Sequence, residues 1–184
     1  MRLQFLRLFG IASLALILPT AWGQARQEGQ TGVVTFDYLR YEGRYYEIAR
    51  LPTFRQRNCA EDVITTFVRR TDGDVSIVYQ CIEGNKSWIM DIGRLVPTSG
   101  DTGTGEAYFR ADLIGLRPWY SGTYRIIELA GDYSYAMIGD SGSHLWILSR
   151  TRHMSPEVYN RLVARATERG FNTSQLVRSV QNGL

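Results

Sequence analysis

The chain has 184 residues, of which 44% are hydrophobic and 21% are charged, a composition that fits a globular protein and excludes a largely disordered one. Its formal net charge is +3, without a cluster of Lys and Arg interleaved with stacking aromatics, so we expect no nucleic-acid partner. Two His and two Cys offer few metal ligands and no recognisable ligand spacing, so we expect no metal and no other cofactor.

The first residues have the pattern of a secretory signal peptide. Arg2 and Arg7 precede an apolar run over residues 8–18, and the small residues of Ala21-Trp22-Gly23 suit cleavage by a signal peptidase. The run is short for a membrane span of about 20 residues. We therefore interpret residues 1–23 as a signal peptide, and an uncleaved anchor helix is the alternative.

Residues 24–184 then form one domain by length. Without the signal peptide, 19 cationic side chains face 18 anionic ones, so charge gives no reason to expect an anionic membrane partner. No cysteine lies near the cleavage site, and so we expect a periplasmic or secreted protein that carries no lipid anchor.

Short segments of alternating apolar and polar residues fill most of the chain up to residue 150. The first follows Gly43 and stops at Pro52, which cannot donate to a strand ladder. Clusters of turn-forming residues separate these segments at 69–74, 83–86, 98–105, 117–118, 131–132 and 139–142. Seven or eight strands at hairpin spacing result, which predicts an all-β fold, either an up-and-down antiparallel barrel or a sandwich.

One helix follows the predicted strands, over about residues 156–169. Ser155 suits the N-cap, Pro156 the first helical position and Gly170 the end of the helix. Four apolar residues fall on one helical face, namely Val158, Leu162, Val163 and Ala166. We therefore expect this helix to pack against the outside of the sheet.

Three motifs, in order along the chain, resemble those of the lipocalin family. Gly43-Arg44-Tyr45, followed by Tyr46-Glu47-Ile48-Ala49-Arg50, resembles its opening Gly-x-Trp motif, with Tyr45 in place of the Trp. Gly131-Asp132-Tyr133 resembles its Thr-Asp-Tyr turn, and residues 145–150 resemble its last strand, which ends in Arg. The likeness is to bacterial lipocalins related to apolipoprotein D. It implies an all-β, eight-stranded up-and-down antiparallel β-barrel with one C-terminal α-helix packed outside.

The resemblance gives a structural role to five residues: Gly43, Tyr45, Asp132, Tyr133 and Arg150. A guanidinium stacked on an aromatic ring is worth roughly 0.5 to 2 kcal/mol, so Tyr45 and Arg150 would close one end of the barrel. Direct contact of this pair with a ligand is the alternative.

A ligand cavity is expected inside the barrel. If Arg150 points inward, alternation along its strand also points Trp146 and Leu148 inward. Alternation along residues 106–113 puts Phe109, Ala111 and Leu113 on an apolar face. The resemblance adds six more lining residues, Thr65, Phe67, Ile77, Tyr79, Ile126 and Ile138. A barrel filled by its own side chains is the alternative.

Cys59 and Cys81 flank a predicted hairpin, and two cysteines in a secreted chain are expected to form a disulfide. Simple hairpin counting puts them a few residues out of register. A bulge or splayed strand ends would absorb the difference.

No catalytic arrangement emerges from the sequence. The two His are His144 and His153, and there is no Gly-x-Ser-x-Gly motif or Cys/His cluster. An inward Glu47 is either a general acid whose pKa burial raises or, as we favour, a hydrogen-bonded polar group near the closed end of the barrel.

The resemblance implies non-catalytic binding and transport or storage of a small lipophilic ligand, of the fatty acid or lysophospholipid class, for membrane lipid maintenance. A barrel enzyme acting on a bound lipid and a protein-partner module are the alternatives. We expect a monomer or homodimer that makes peripheral contact with a membrane.

Overall fold

The computed structural model describes residues 36–54, 56–97, 107–114, 121–140 and 142–183, with the backbone alone for 107–114, 121 and 122. The predicted signal peptide lies outside the described residues. Eight strands follow one another: β1 (Gly43–Arg50), β2 (Cys59–Arg69), β3 (Val75–Glu83), β4 (Trp88–Pro97), β5 (Ala107–Ile114), β6 (Ser121–Leu129), β7 (Tyr135–Gly139) and β8 (Leu145–Ser149).

Each of these strands pairs antiparallel with the next, and β1 pairs with both β2 and β8, so the sheet closes on itself. The predicted up-and-down barrel is confirmed. Within the described residues two α-helices accompany it, α1 (Tyr38–Tyr41) before β1 and α2 (Pro156–Glu168) after β8. We call the end of the barrel that carries α1 the floor. The opposite end is the mouth, and its described loop residues are 51–54, 56–58, 84–87, 140 and 142–144.

The helix α2 covers part of the outer surface of the barrel. The Ser155 hydroxyl accepts a hydrogen bond from the Val158 N–H at 3.3 Å, which satisfies one free donor of the first turn. Leu162 and Ala166 are buried against outward residues of β7 and β8, among them Met137 and Ile147. The predicted cap and apolar face are confirmed.

A cluster of buried, mostly aromatic and aliphatic side chains fills the barrel toward the floor. It consists of Tyr41, Tyr45, Phe67, Val75, Leu95, Tyr124, Ile126, Tyr133, Ala136, Ile138 and Leu148. Tyr41 enters it from α1, and its hydroxyl lies 3.1 Å from that of Tyr124. Because burial disfavours the tyrosinate form, it raises the pKa of Tyr41 and of Tyr124 well above the usual value.

A ninth, short strand that the sequence analysis did not predict lies near the C-terminus. Thr173–Gln175 form a 3₁₀ turn and β9 (Val177–Arg178) pairs antiparallel with Ala49 and Arg50. Beyond β9 the chain also bonds to β2, since the Asp62 N–H donates to the Val180 carbonyl at 2.8 Å. The C-terminal segment therefore bonds to both β1 and β2 on the mouth side of their direct pairing.

Candidate functional site

The floor is closed by Arg150, whose guanidinium carbon lies 3.8 Å from the centroid of the Tyr45 ring. The same guanidinium donates hydrogen bonds of 2.8 to 3.1 Å to the carbonyls of Arg40, Tyr41, Glu42 and Arg44. Gly43 has φ +105, and a Cβ there would lie 3.0 Å from Arg150 Nη1, so a side chain would be both strained and crowded. This arrangement ties α1 and β1 to the end of β8.

The turn between β6 and β7 completes the floor. Tyr133 has φ +64, and its hydroxyl accepts a hydrogen bond from the Asp37 N–H at 2.8 Å. Its carbonyl accepts from the Tyr45 hydroxyl at 3.1 Å. Asp132 Oδ1 accepts from the Ser134 N–H at 3.0 Å, and hydrogen bonds from Ser134, with the nearby Arg40, lower the pKa of the Asp132 carboxyl. These hydrogen bonds hold the β6–β7 turn against the segment before α1, through Asp37, and against β1, through Tyr45.

The predicted lining residues occupy different levels of the barrel. Phe67, Ile126, Ile138 and Leu148 belong to the buried floor cluster, and Ile77 and Trp146 pack against it. Thr65 is buried in β2 directly opposite Tyr79 of β3. The other three, Phe109, Ala111 and Leu113, lie on β5, where the register pairs Phe109 with Tyr124; their side chains lie outside the description.

Five polar side chains meet between the floor cluster and the mouth: Glu47, Arg50, Gln56, Tyr79 and Trp146. We call them the mouth cluster. Gln56 joins three strands, because its Nε2 donates to Glu47 Oε2 at 2.7 Å and to the Tyr79 hydroxyl at 2.8 Å, while its Oε1 accepts from Trp146 Nε1 at 2.8 Å. Gln56 is 5% exposed although it belongs to a loop.

Glu47 is the centre of the mouth cluster and is 0% exposed. Arg50 Nη1 donates to its Oε1 at 2.7 Å, and the Ser179 hydroxyl donates to the same oxygen. Each carboxylate oxygen therefore has a donor, as a buried charge requires. We expected Glu47 to hydrogen-bond near the floor; its partners Arg50 and Gln56 lie on its mouth side instead, because the loop after β1 folds back into the barrel.

Tyr79 is the cluster member with the weakest acceptor. Its hydroxyl donates to Cys59 Sγ at 3.1 Å, and a disulfide sulfur is a poor acceptor. Burial raises the pKa of Tyr79, the neighbouring Glu47 and Asp91 raise it further, and Arg50 opposes them. The Tyr79 hydroxyl thus stays protonated and can donate to a better acceptor.

Cys59 and Cys81 form the predicted disulfide, with their Cα atoms 5.5 Å apart. Register shifts between Cys59 and Glu61 and between Glu61 and Ile64 bring the two cysteines together, which confirms the expected bulge. The disulfide lies beside Tyr79 and links β2 to β3 near the mouth.

A His–Asp pair extends the mouth cluster outward. His144 Nδ1 lies 2.5 Å from Asp140 Oδ2, and the His144 ring stacks on Trp146 with centroids 5.8 Å apart. Burial raises the pKa of Asp140, but hydrogen bonds from the His144 ring and from three backbone N–H groups outweigh it and lower the pKa overall. The pair holds Trp146 in place beside Gln56.

The described part of the chain offers neither a metal site nor a membrane-spanning helix. No group of three His, Cys, Asp or Glu side chains there could hold a metal ion. Among the described helices, none has the length and apolarity needed to cross a membrane.

Sequence reasoning identified Glu47 and the barrel-facing aromatics but missed Gln56. The residue belongs to a loop, where no periodicity predicts burial, and its contacts are all to distant strands or its own loop. A polar loop residue that folds back into a barrel leaves no pattern in a single sequence.

Comparison with known proteins agrees with this architecture. A family model described as Lipocalin-like domain matches residues 36–181. The chain is 31% identical to outer membrane lipoprotein Blc of Escherichia coli (strain K12), over 98% of this chain and 99% of that protein. It is also 31% identical to temperature-induced lipocalin-1 of Arabidopsis thaliana, over 78% of each.

Solved structures show the same fold at lower identity. Lobster apocrustacyanin A1 matches with a TM-score of 0.61 and 18% identity, over 79% of each chain. Insecticyanin from the tobacco hornworm Manduca sexta matches with a TM-score of 0.61 and 16% identity, over 78% of this chain and 80% of that one. With the family model covering most of the chain and relatives matching it nearly end to end, this protein belongs to the lipocalin family.

Proposed function

We propose that this lipocalin binds one small lipophilic molecule inside its barrel, as a non-catalytic carrier or store, and that the ligand is a single-chain amphiphile of the fatty acid or lysophospholipid class. Membership of the lipocalin family supports lipophilic-ligand binding in general. The observation that carries the proposal is the change of chemistry along the barrel axis. Apolar side chains lie toward the floor and hydrogen-bonding side chains toward the mouth.

The expected affinity follows from burial of the chain. Each CH₂ removed from water contributes about 0.8 kcal/mol, so a chain of about 16 carbons offers roughly 12 kcal/mol. Association costs about 4 to 15 kcal/mol, and a cost at the low end of this range, as expected for a preformed barrel, leaves a dissociation constant of about a micromolar. Affinity should rise with chain length until the cavity is full.

The test is a titration of fatty acids and lysophospholipids of about 8 to 18 carbons into delipidated protein, followed through Trp146 emission. Phe109→Asp, checked by circular dichroism for folding, should abolish uptake because it places an unpaired charge on the proposed apolar wall. Absence of binding at every chain length, or full binding by folded Phe109→Asp, would reject the proposal.

The mouth cluster bears on the alternative of an enzyme. Both oxygens of Glu47 already accept hydrogen bonds, from Arg50, Ser179 and Gln56, which favours a structural role over that of a general acid. Turnover of a lysophospholipid during the titration, lost in Glu47→Gln, would instead establish catalysis.

We also propose that the protein works in the cell envelope, at a membrane surface. The bacterial relatives are named outer membrane lipoproteins, and the residues of the predicted signal peptide fit export. Near the mouth, Phe54 and Trp88 are 67% and 52% exposed, and the Arg57 guanidinium lies 4.1 Å from the Phe54 ring centroid. Mass spectrometry of the mature N-terminus would decide between free and lipid-modified forms.

A further inference from the structure

The outer surface of β4 carries large apolar side chains at successive outward positions. Trp88, Met90 and Ile92 are 52%, 60% and 45% exposed. Leu95, at a position of the opposite parity, belongs to the buried floor cluster. Side chains alternate between the two faces of a strand, so the three exposed residues all point away from the barrel. An antiparallel sheet carries polar residues on a face that meets water, and β4 departs from that pattern.

The apolar surface continues onto the two preceding strands. Val78 of β3 lies directly opposite Ile92 and therefore shares its face of the sheet. Val68 of β2 lies opposite Ser76, diagonally beside Val78, and is 42% exposed. We call the five apolar residues of this surface the β4 face: Val68, Val78, Trp88, Met90 and Ile92.

A different part of the outer wall shows how such a surface is covered within the chain. Met137 of β7 and Ile147 of β8 are 0% exposed, because they pack against Leu162 of α2. Both walls present aliphatic or thioether side chains outward, but those of the β4 face keep about half of their surface exposed. Contiguous exposed apolar patches mark interaction sites, so the β4 face calls for a partner.

The size of the β4 face favours a lipid surface over a second copy of the chain. A strand rises about 3.3 Å per residue, so Trp88 and Ile92 are about 13 Å apart, and β2 lies about 10 Å from β4. Even if side-chain relief doubles this footprint of roughly 130 Å², the area is well below the about 800 Å² that each partner of a stable dimer buries. A bilayer needs no complementary shape, and Trp suits its interface because the indole has an apolar body and a polar N–H.

The charges that border the β4 face do not select an anionic surface. Lys86 pairs with Glu61 at the mouth end of the face, and Arg94 pairs with Asp74 at the floor end. Recognition of anionic lipids uses clusters of Lys and Arg whose charge is not already neutralised. The border therefore suits the neutral headgroups of zwitterionic phospholipids.

We propose that the β4 face is a docking surface for zwitterionic phospholipid membranes, on which the barrel lies on its side with Trp88, Met90 and Ile92 at the level of the headgroups. This inference rests on the proposed function, in particular on work at a membrane surface, and names the surface that makes the contact. Trp88 is the first residue of β4 after a mouth loop, so the docked barrel has one edge of its mouth beside the bilayer. A lipid that leaves the bilayer then reaches the mouth without crossing a wide layer of water.

The experiment is sedimentation of the full mature chain with vesicles of phosphatidylcholine alone, and with vesicles of an equal mixture of phosphatidylcholine and phosphatidylglycerol. The two partition coefficients should agree within about threefold and change little with salt, because salt screens only the attraction between charges. A preference for the anionic mixture of more than about tenfold, lost at high salt, would overturn the choice of lipid.

Substitutions locate the contact. Trp88→Ser/Met90→Ser should lower the partition coefficient at least about tenfold, because binding at a membrane interface scales with the apolar area buried. Leu39→Ser is the matched control and should change nothing, since Leu39 is 66% exposed but belongs to α1 at the floor. Phe54→Ser removes a 67% exposed side chain of the mouth. A loss in this variant that equals or exceeds the loss in Trp88→Ser/Met90→Ser would show docking with the mouth first and overturn the inference.

Titration of palmitate and palmitoyl-lysophosphatidylcholine into the same variants separates this inference from ligand binding. The β4 face points away from the barrel interior, so affinity for both compounds should stay within about twofold of the wild type. Amphiphile binding without vesicle binding would overturn the inference and leave the proposed ligand class standing, whereas vesicle binding through the β4 face without amphiphile binding would do the reverse. A concentration-dependent dimer that Trp88→Ser/Met90→Ser abolishes would assign the β4 face to a second copy and overturn the inference.

Discussion

At the scale of single residues, the floor shows how one side chain can join several segments. Arg150 stacks on Tyr45 and donates to four carbonyls of residues 40–44. The family motif has Trp where this chain has Tyr45. The smaller ring still stacks, and its hydroxyl adds a hydrogen bond to the Tyr133 carbonyl.

Replacing Arg150 by Ala should lower the free energy of unfolding by about 2 to 3 kcal/mol, because it removes a cation–π contact and charge-assisted hydrogen bonds. Water that enters the site bonds to the vacated carbonyls and limits the loss to this size. Ligand affinity should change little, because the mouth cluster is at the other end. Urea unfolding and a parallel ligand titration measure both. Arg44→Ala, which removes an exposed guanidinium from the same floor, is the control; equal effects of the two substitutions would contradict the role given to Arg150.

The buried tyrosines predict loss of stability in alkali. Burial raises the pKa of Tyr45 to about 12 and raises the pKa values of Tyr41, Tyr79 and Tyr124 above the usual value, whereas the unfolded chain titrates near 10. Above about pH 10 the unfolded state therefore binds fewer protons than the native state. Stability should be full below about pH 10 and fall as pH rises toward 12. Tyr45→Phe should make this fall less steep.

Tyrosinate absorbance and circular dichroism followed together check that prediction. A fraction of the tyrosine signal should appear near pH 10 from exposed rings, and the remainder should appear with the loss of structure. Smooth titration of all tyrosines while the protein stays folded would contradict it.

At the scale of secondary structure, most elements could be predicted because they carry a periodic pattern or a cap. Ser155 and Pro156 predicted the start of α2, and the clusters of turn-forming residues predicted the hairpins. The bulges near Glu61 and Glu47 could not be located, since a bulge changes pairing without changing composition. The strand β9 was missed because two residues are too short to show alternation.

The disulfide should contribute about 3 kcal/mol to stability by restricting the unfolded chain, given its 22-residue separation. Cys59→Ala/Cys81→Ala should lose that amount in urea unfolding and keep the barrel fold by circular dichroism. Reduction of the wild-type protein should reproduce the effect. Identical unfolding curves for oxidised and reduced protein would show that the cross-link adds nothing beyond the packing of β2 against β3.

At the scale of the whole molecule, closure of the barrel depends on more than the eight strands. The direct β1–β2 ladder runs over Gly43–Tyr46, and β9 then pairs with Ala49 and Arg50, while β8 pairs with the other edge of β1. Gln181 Nε2 bridges the two separating strands, with bonds of 2.8 Å to the Glu47 carbonyl and 3.0 Å to the Val63 carbonyl. The C-terminal segment therefore completes the wall beside the mouth cluster.

Deleting residues 177–184 should open this part of the wall. Ser179 and Gln181 would leave Glu47 without two of its contacts, and backbone groups of residues 48–50 and 61–63 would lose their partners. Several such losses, each worth about 0.5 to 1.5 kcal/mol, should lower the melting temperature and confine faster amide exchange to the mouth halves of β1 and β2, with the floor protected.

Gln175→Ala, an exposed change just before the deleted segment, is the control and should leave both readouts unchanged. Two results would show that the wall closes without the C-terminal segment: unchanged exchange at residues 48–50 and 61–63 in the truncated protein, or protection lost evenly around the barrel.

If the wall opens as expected, the ion pair of Glu47 and Arg50 becomes accessible to water. Binding of single-chain amphiphiles should then weaken, because water competes for the donors and acceptors of the mouth cluster.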